Sequence, residues 1–286
     1  MASIKDVRRA LERQGPASFV SYTSRKFLFN TVLLPLSPRV ALTAWDGWRQ
    51  WQQWTQRVRH RVEPAIYTDA DPFKTVTVSP ERIDLRYDHS TNHSLDTPLP
   101  KCRYAGYFGR VYGGDWDTLT IPIQSRPLYN SVQQVYQQGY DWEETEQYEI
   151  WTGRHSPDVV ARKCENVDRL WQSFSRDGYI PQRNLVQYNG TRFPLQEPVV
   201  NVGRGGELIH FRDGNHRLCL AKILELDEIV VRIGIRHADW QAVRDSILHS
   251  SGTTEYDPTH PDLRDLVPAP ERTDRAKEAT DRTDGS

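Results

Sequence analysis

The stretch PVVNVGRGGELIHFRDGNHRLCLAKILELDEIVVRIGI, residues 198–235, alternates short apolar runs with glycine-rich and polar turns. Two runs, Pro198–Val202 and Glu207–Phe211, flank a turn that holds three glycines, which is typical of a β-hairpin. Residues Asn215–Leu226 are apolar almost all round a helical wheel, and Glu228–Ile235 is rich in β-branched residues. The stretch therefore predicts strand, turn, strand, buried helix and strand.

The rest of the middle of the chain continues this mixture of strands and helices. An alternating run over Phe73–Pro80 predicts a strand closed by a turn. Helices are predicted over Arg126–Gly139 and Asn166–Gly178, because apolar residues recur on one helical face and each segment stops at a glycine. A last helix is predicted over about Asp239–Leu248. The expected fold class is α+β, a mixed sheet with packed helices.

A helix rich in tryptophan is predicted over Arg39–Val62. A spacing of three residues drifts by about 60° per step around an ideal helix, so its indoles should cover a broad face. They either pack on the protein's own core or lie at a lipid interface with arginines between them. Stacking on unpaired bases is a third possibility. The indoles in question are those of Trp45, Trp48, Trp51 and Trp54.

Positive charge is concentrated in the first 65 residues, which hold eleven Lys and Arg against four Asp and Glu, an excess of seven. The whole chain has a formal charge of −1. This asymmetry allows an anionic membrane surface or a nucleic acid as a partner for residues 1–65. A solvated basic face is the alternative that needs no partner.

Composition divides the chain into three zones. Residues 1–65 form a basic, Trp-rich helical extension that begins with a short amphipathic helix carrying Ile4, Val7 and Leu11. Residues 66–250 are the α+β domain. Residues 251–286 are proline-rich and then charged, with almost nothing apolar, and are predicted to be a disordered tail.

The cysteines and apolar runs limit the class of protein. The three cysteines are odd in number and widely spaced, which indicates neither a disulfide framework nor a paired-cysteine zinc site, and no metal site is predicted. The first residues are too charged for a signal peptide, and the run Phe27–Leu36 is about half the roughly 20 residues of a membrane span. We expect a cytoplasmic protein with no transmembrane segment, and peripheral membrane attachment as an option.

A polar cluster, Asp213–Arg217, lies between the second strand and the buried helix. The amides from Gly214 onward would be the unpaired donors of a helix N-terminus, which attract an anion. The imidazole and guanidinium beside them would add donors suited to phosphate oxygens. The predicted anion ligands are Asp213, Gly214, Asn215, His216 and Arg217.

Other roles for the cluster stay open. Asp213 could be the N-cap of the helix, could orient His216, or could hold a metal that bridges phosphates. A purely structural interpretation pairs Arg217 with Asp213 or Asp227 and bonds His216 to the backbone. That interpretation accounts for every polar residue without a ligand.

From Pro198 to Arg232 the chain resembles the ParB/sulfiredoxin superfamily, whose elements are strand, turn, strand, Gly-x-x-Arg turn, helix and strand. The segments VDRLWQSFSRDGYIPQ (167–182) and KTVTVSPERIDL (74–85) resemble the family's upstream helix and first strand, so the resemblance covers roughly half the chain. The Asp-Gly-x-His-Arg form of the cluster is similar to that of the phosphotransferase branch, which includes free-serine kinases. The sulfiredoxin branch has a cysteine where this chain has Asn215, so sulfinic-acid reduction is not expected.

The resemblance implies that the cluster binds the phosphates of a nucleotide such as ATP, ADP or CTP, with Mg²⁺ assisting. It further implies phosphoryl transfer to a small acceptor. The kinase branch has a catalytic glutamate after its first strand, where this chain offers Asp84 and Asp88 as candidate bases. His216 is the third candidate catalytic residue.

Two other functions remain as alternatives. One is a DNA-binding or nuclease-like protein that uses the basic residues 1–65, although only one short helix is predicted after Ile235, where partition proteins carry a helix-turn-helix module. The other is a non-catalytic scaffold that senses a nucleotide while its tryptophan helix docks on a membrane or a partner.

Overall fold

The computed structural model of the protein describes residues 23–90, 99, 107–189, 197–249 and 259–266. Within these residues, seven strands form one sheet in the order β1-β7-β5-β6-β2-β4, and β3 pairs with β7 as well. The strands are β1 (Thr75–Val78), β2 (Leu85–Tyr87), β3 (Val111–Tyr112), β4 (Thr120–Pro122), β5 (Val199–Val202), β6 (Leu208–Arg212) and β7 (Ile229–His237).

Helices cover the sheet, and the described part of the chain begins with helical segments. A π-helical segment, Leu28–Leu33, and a short helical turn, Leu34–Leu36, precede the longest helix. The longer helices are α1 (Pro38–Val62), α2 (Pro127–Gln138), α3 (Glu146–Thr152), α4 (Pro157–Asp177), α5 (Gln182–Asn189), α6 (Asn215–Ile223) and α7 (Ala238–His249). Short 3₁₀ turns lie between them at Pro80–Arg82, Trp116–Thr118, Ile123–Ser125 and Trp142–Glu144.

The sheet is mixed, as expected. β5 and β6 form the predicted antiparallel hairpin, with Val202 opposite Leu208. β5 also pairs in parallel with β7, and β6 pairs in parallel with β2. All four residues of β5 are buried, which shows that the sheet is covered on both faces at its centre. The α+β fold class is therefore confirmed.

The hairpin turn depends on Gly206. Its φ is 92°, and a Cβ built there would lie 2.7 Å from the Trp240 ring. Any side chain would therefore meet both a strained backbone and a fixed indole.

Helix α6 is shorter than predicted. It ends at Ile223, and Glu225 has a φ of 50°. The amide of Leu226 donates to the carbonyl of Ala221, five residues earlier, at 3.0 Å, and a hydrogen bond over this span is typical of a helix C-terminus. The apolar pattern continued beyond the helix because Leu224 and Leu226 stay partly buried after it ends.

The tryptophans of α1 divide between the core and the surface. Trp45 and Trp48 pack against the Phe73 ring, with centroids 6.2 and 4.8 Å away. Trp51 and Trp54 stack on each other at 5.3 Å and are 59% and 58% exposed. Packing on the core and exposure at the surface are thus both observed, each for half of the set.

The chain divides into two compact units, the described residues up to Ala242 and those from Val243 onward. In the second unit, Arg244 donates to Asp265 at 3.0 Å and to the carbonyl of Asp262, and Leu263 is fully buried. Residues 259–266 form turns, so this part of the predicted disordered tail is ordered. The other residues from 250 onward and the predicted helix around Ile4 lie outside the described residues.

None of the helices in the described ranges combines the length and the apolar character needed to cross a bilayer. Cys164 and Cys219 are free thiols. Burial raises the pKa of each to about 11, so neither is a thiolate at neutral pH.

Candidate anion site at the start of helix α6

The bend between β6 and α6 has an unusual backbone. Asp213 and Gly214 both adopt left-handed conformations, with φ of 54° and 59°. A Cβ on Gly214 would lie 2.6 Å from the nitrogen of Pro198, so only glycine allows the bend to pack against the start of β5. The carbonyl of Asp213 accepts a hydrogen bond from Nε2 of His210 at 3.0 Å, which ties the bend to strand β6.

The N-terminus of α6 has no side-chain cap. Gly214 occupies the N-cap position, and no side chain bonds to the amides of the first turn. Asp213, for which an N-cap role was open, is therefore not the cap. Because the first amides of a helix have no partner within it, those of Asn215 and His216 are donors available to an anion.

Asn215 is held by an arginine from a distant part of the chain. Its Oδ1 accepts a hydrogen bond from Nη1 of Arg126 at 2.7 Å. Arg126 lies between the Ile123–Ser125 turn and α2, and it is only partly buried. The contact places a guanidinium beside the free amides of α6.

Two further cations, Arg86 and Lys163, lie near enough to interact electrostatically with Arg126 or His216. Burial lowers the pKa of Arg86, and the charge of Arg126 lowers it further. Nε of Arg86 is buried without a hydrogen-bond partner. Lys163 on α4 acts on the His216 ring through space, as Arg126 does. We call Arg86, Arg126 and Lys163 the cationic cluster.

The pairing of β2 with β6 explains how Arg86 reaches the site. Arg86 is in register with His210, and residues paired in this way point to the same face of the sheet. The His210 ring bonds to the bend on that face. The Arg86 side chain therefore projects toward the side of the sheet that carries α6.

His216 is neutral at physiological pH. Burial lowers its pKa to about 4, with smaller contributions from Lys163 and Arg126. Its ring lies edge-on to Trp151, with centroids 6.2 Å apart. His216 can offer a phosphate oxygen one N–H group but no positive charge.

Arg217 is directed into the protein. Nη2 donates to the carbonyl of Ile180 at 2.6 Å and lies 3.6 Å from Glu197, while Nε donates to the Tyr179 hydroxyl at 3.2 Å. The guanidinium also lies over the Tyr179 ring, 4.3 Å from its centroid. Arg217 was expected to contact phosphate, and the structure instead gives it these internal contacts. Its ion-pair partner is Glu197, whereas the structural interpretation of the sequence considered Asp213 or Asp227. Burial raises the pKa of Glu197, although Arg217 opposes this.

Asp84 lies at the other end of α6. Its Oδ1 accepts a hydrogen bond from Nζ of Lys222 at 3.0 Å, and Lys222 is in the last turn of the helix. Lys222 follows Asn215 by seven positions, which corresponds to about 10 Å along the helix axis. The structure therefore does not bring Asp84 to the polar cluster.

Asp88 lies near Arg86. It follows β2 two positions after Arg86, on the same face of the chain. Its charge acts on Arg86. Hydrogen bonds from the side chain and backbone of Ser90 lower its pKa, so it is ionised at neutral pH and is a weak base.

The cationic cluster was not predicted from the sequence. Arg86 and Arg126 occur in segments whose only local signals are a short strand and the start of a helix. Arg126 stands one residue before Pro127, which begins α2. This order predicts a helix start and gives no sign that Arg126 binds an anion. Their approach depends on the pairing of β2 with β6 and with β4, which local periodicity cannot show.

Among the described residues, no group of three or more His, Cys, Asp or Glu side chains is arranged to hold a metal ion. Comparisons with known proteins identify no relative: no family model matches the chain, no curated protein matches it, and no solved structure matches it. The resemblance to the ParB/sulfiredoxin superfamily thus stays a prediction from the quoted motifs.

Proposed function

We propose that the protein binds the phosphates of a nucleotide at the N-terminus of α6. The observation that carries the proposal is the hydrogen bond of Arg126 to Asn215, which places a cation beside uncapped helix amides. Backbone N–H groups at a helix start and an adjacent guanidinium are together a phosphate-binding arrangement.

Each residue has a defined part in this proposal. The amides of Asn215 and His216 and the guanidinium of Arg126 contact phosphate oxygens directly. Arg86, with its buried and unpaired Nε, supplies a second charge. Arg217 is a positioning residue, because it ties the first turn of α6 to Glu197 and Tyr179. The main guanidinium ligand of the phosphates is then Arg126, and not Arg217 as the sequence predicted.

Phosphoryl transfer to a small acceptor is the reaction that this site would support. Asp88 is the candidate base, since it is the predicted carboxylate on the face that carries Arg86. Mg²⁺ that arrives with the nucleotide would be held by phosphate oxygens, because hard cations prefer oxygen ligands. Bound in that way, the ion would neutralise phosphate charge, and the cationic cluster would orient the phosphates.

Isothermal titration tests the proposal with ATP, ADP and CTP in the presence of Mg²⁺. We expect binding by the wild type and at least about tenfold weaker binding by Arg126→Ala, since a charge-assisted bond to phosphate is lost. Arg169→Ala, which removes an exposed arginine bonded only within α4, is the matched control. No binding by the wild type, or equal binding by Arg126→Ala, would overturn the proposal.

A second candidate function is attachment to an anionic lipid surface through α1. The helix exposes an apolar stripe that we call the indole surface; its members, between 42% and 74% exposed, are Val40, Trp51, Trp54, Val58 and Val62. Arg57 and Arg61 lie on the neighbouring positions of the helix and are exposed. Indoles and valines beside arginines match the boundary between acyl chains and anionic headgroups.

Vesicle flotation tests this attachment with phosphatidylserine-containing and pure phosphatidylcholine vesicles. The wild type should float with the anionic vesicles, and Trp51→Ser/Trp54→Ser should stay in the soluble fraction. Tyr140→Ser, at an exposed aromatic outside α1, is the control and should float like the wild type. Equal flotation of the double variant would exclude the indole surface as the lipid contact.

A further inference from the structure

A pocket of about 260 Å³ lies between α1, β1, α5 and β7, away from the proposed phosphate contacts. Its walls include the Trp45 and Phe73 rings, Pro181 and Val230, so most of the lining is apolar. An apolar cavity of about 150 Å³ can hold benzene. This pocket therefore has room for a small ring that carries a substituent.

Arg232 on β7 lines the pocket and is partly exposed to it. Its guanidinium lies between two rings, 3.5 Å from the Phe108 centroid and 4.4 Å from that of Phe73. Nε is buried without a hydrogen-bond partner. Among the described residues, none forms an ion pair with this guanidinium.

The other charged residues of the pocket are already paired. Arg49 donates to Asp71 at 2.8 Å. Arg183 makes two bonds of 2.7 Å to Asp46. Glu197 is offset by Arg217 at 3.6 Å. Arg232 is thus the charged lining residue that has no ion-pair partner among the described residues.

Burial lowers the pKa of Arg232 to about 9, and the nearby charge of Arg49 acts in the same direction, while Asp213 and Asp71 oppose it. A guanidinium in such a place is costly unless an anion joins it. The aromatic rings offset only part of that cost.

We infer that this pocket binds a small monocarboxylate with an apolar or aromatic body, its carboxylate on Arg232 and its body between Trp45, Phe73 and Val230. A single unpaired guanidinium selects one negative charge. Planar carboxylates match the guanidinium fork, and the apolar part of the lining favours an anion that carries an apolar body. The inference rests on the pocket and is independent of the proposed nucleotide site.

The test measures the binding of benzoate and of its neutral analogue benzamide to the protein by isothermal titration. Benzoate should bind at least about tenfold more tightly than benzamide, because only benzoate completes the pair with Arg232. Arg232→Leu should remove this preference. Equal affinities for the two probes, or no benzoate binding, would overturn the inference.

Two further variants locate the binding and guard against a misfolded Arg232→Leu protein. Thr75 is an exposed residue of edge strand β1 that lines the pocket, so Thr75→Trp should narrow it without disturbing the core. Benzoate binding should fall at least about tenfold in Thr75→Trp, whereas it should be unchanged in Arg126→Ala. Benzoate binding that survives in Thr75→Trp, or is lost in Arg126→Ala, would contradict the assignment to this pocket.

Discussion

Arg126 and Asn215 are 89 residues apart in the sequence, and their side chains are joined by a hydrogen bond of 2.7 Å at the first turn of α6. The bond turns a helix start into a place with both free amides and a fixed positive charge. Asn215 is neutral, so it orients the guanidinium without cancelling its charge. The remaining charge of Arg126 is what an incoming phosphate would meet.

Replacing Asn215 by aspartate should separate stability from binding. The carboxylate would neutralise Arg126 and repel phosphate, so nucleotide affinity should fall at least about tenfold. The new ion pair and the favourable position of an acid at a helix start should leave the free energy of unfolding equal or higher. Calorimetric titration and urea denaturation of the variant measure the two quantities. A variant that binds nucleotide as well as the wild type would show that Arg126 does not contact phosphate.

Arg217 should matter for stability. Arg217→Met leaves Glu197 buried without its cation, and we expect a loss of about 3–5 kcal/mol in the free energy of unfolding. Adding Glu197→Gln should restore part of this loss, because the stranded carboxylate is then removed. Denaturant titrations of the two single variants and the double variant give the coupling between them. A double variant less stable than either single variant would argue against a buried ion pair.

Gly214 should tolerate no side chain. Gly214→Ala combines a left-handed backbone with a Cβ only 2.6 Å from the nitrogen of Pro198, and we expect it to destabilise the protein by more than about 2 kcal/mol. Gly139 has a φ of 79° and open space around its Cβ position. Gly139→Ala is thus the matched control and should cost about 1 kcal/mol. Similar losses for the two variants would mean that the contact with Pro198 is unimportant.

Stability should fall as the solution becomes acidic. Burial lowers the pKa of His210 from its usual 6.5 to about 4, so between these values the unfolded chain binds a proton that the folded protein does not. The folded state is therefore at full stability above pH 6.5 and loses it as the pH falls toward 4, by about 3 kcal/mol for this residue. His210→Gln keeps a donor for Asp213 and should give a shallower decline. Urea midpoints across this pH range measure the effect, and an unchanged slope in the variant would assign the titration to other groups.

The local elements could be predicted from the sequence because their signals are local. The β5–β6 hairpin and α2 follow from alternation, helical periodicity and glycines at their ends. Helix geometry also explains why the tryptophans of α1 divide between core and surface and why Asn215 and Arg217 point in different directions. Trp45 and Trp54 are nine residues apart, which places them about 180° apart on a helix, one buried and one exposed.

The same geometry separates Asn215 from Arg217. Two helical residues at this spacing point about 200° apart, so they cannot both face one ligand. The sequence placed them in one cluster, and the structure directs Arg217 inward. Arg86 could not be identified as a site residue, because its position depends on a parallel pairing with a strand more than a hundred residues later. Non-local pairing and side-chain direction are the features that the sequence pattern left open.

The most direct test follows the backbone amides of the isotopically labelled protein by NMR while ADP and Mg²⁺ are added. We expect the amide resonances of Asn215 and His216 to shift most, and these shifts to be lost in Arg126→Ala. Binding that leaves both amides unperturbed, or no binding of ADP, ATP or CTP at all, would contradict the claim that the start of α6 receives phosphate.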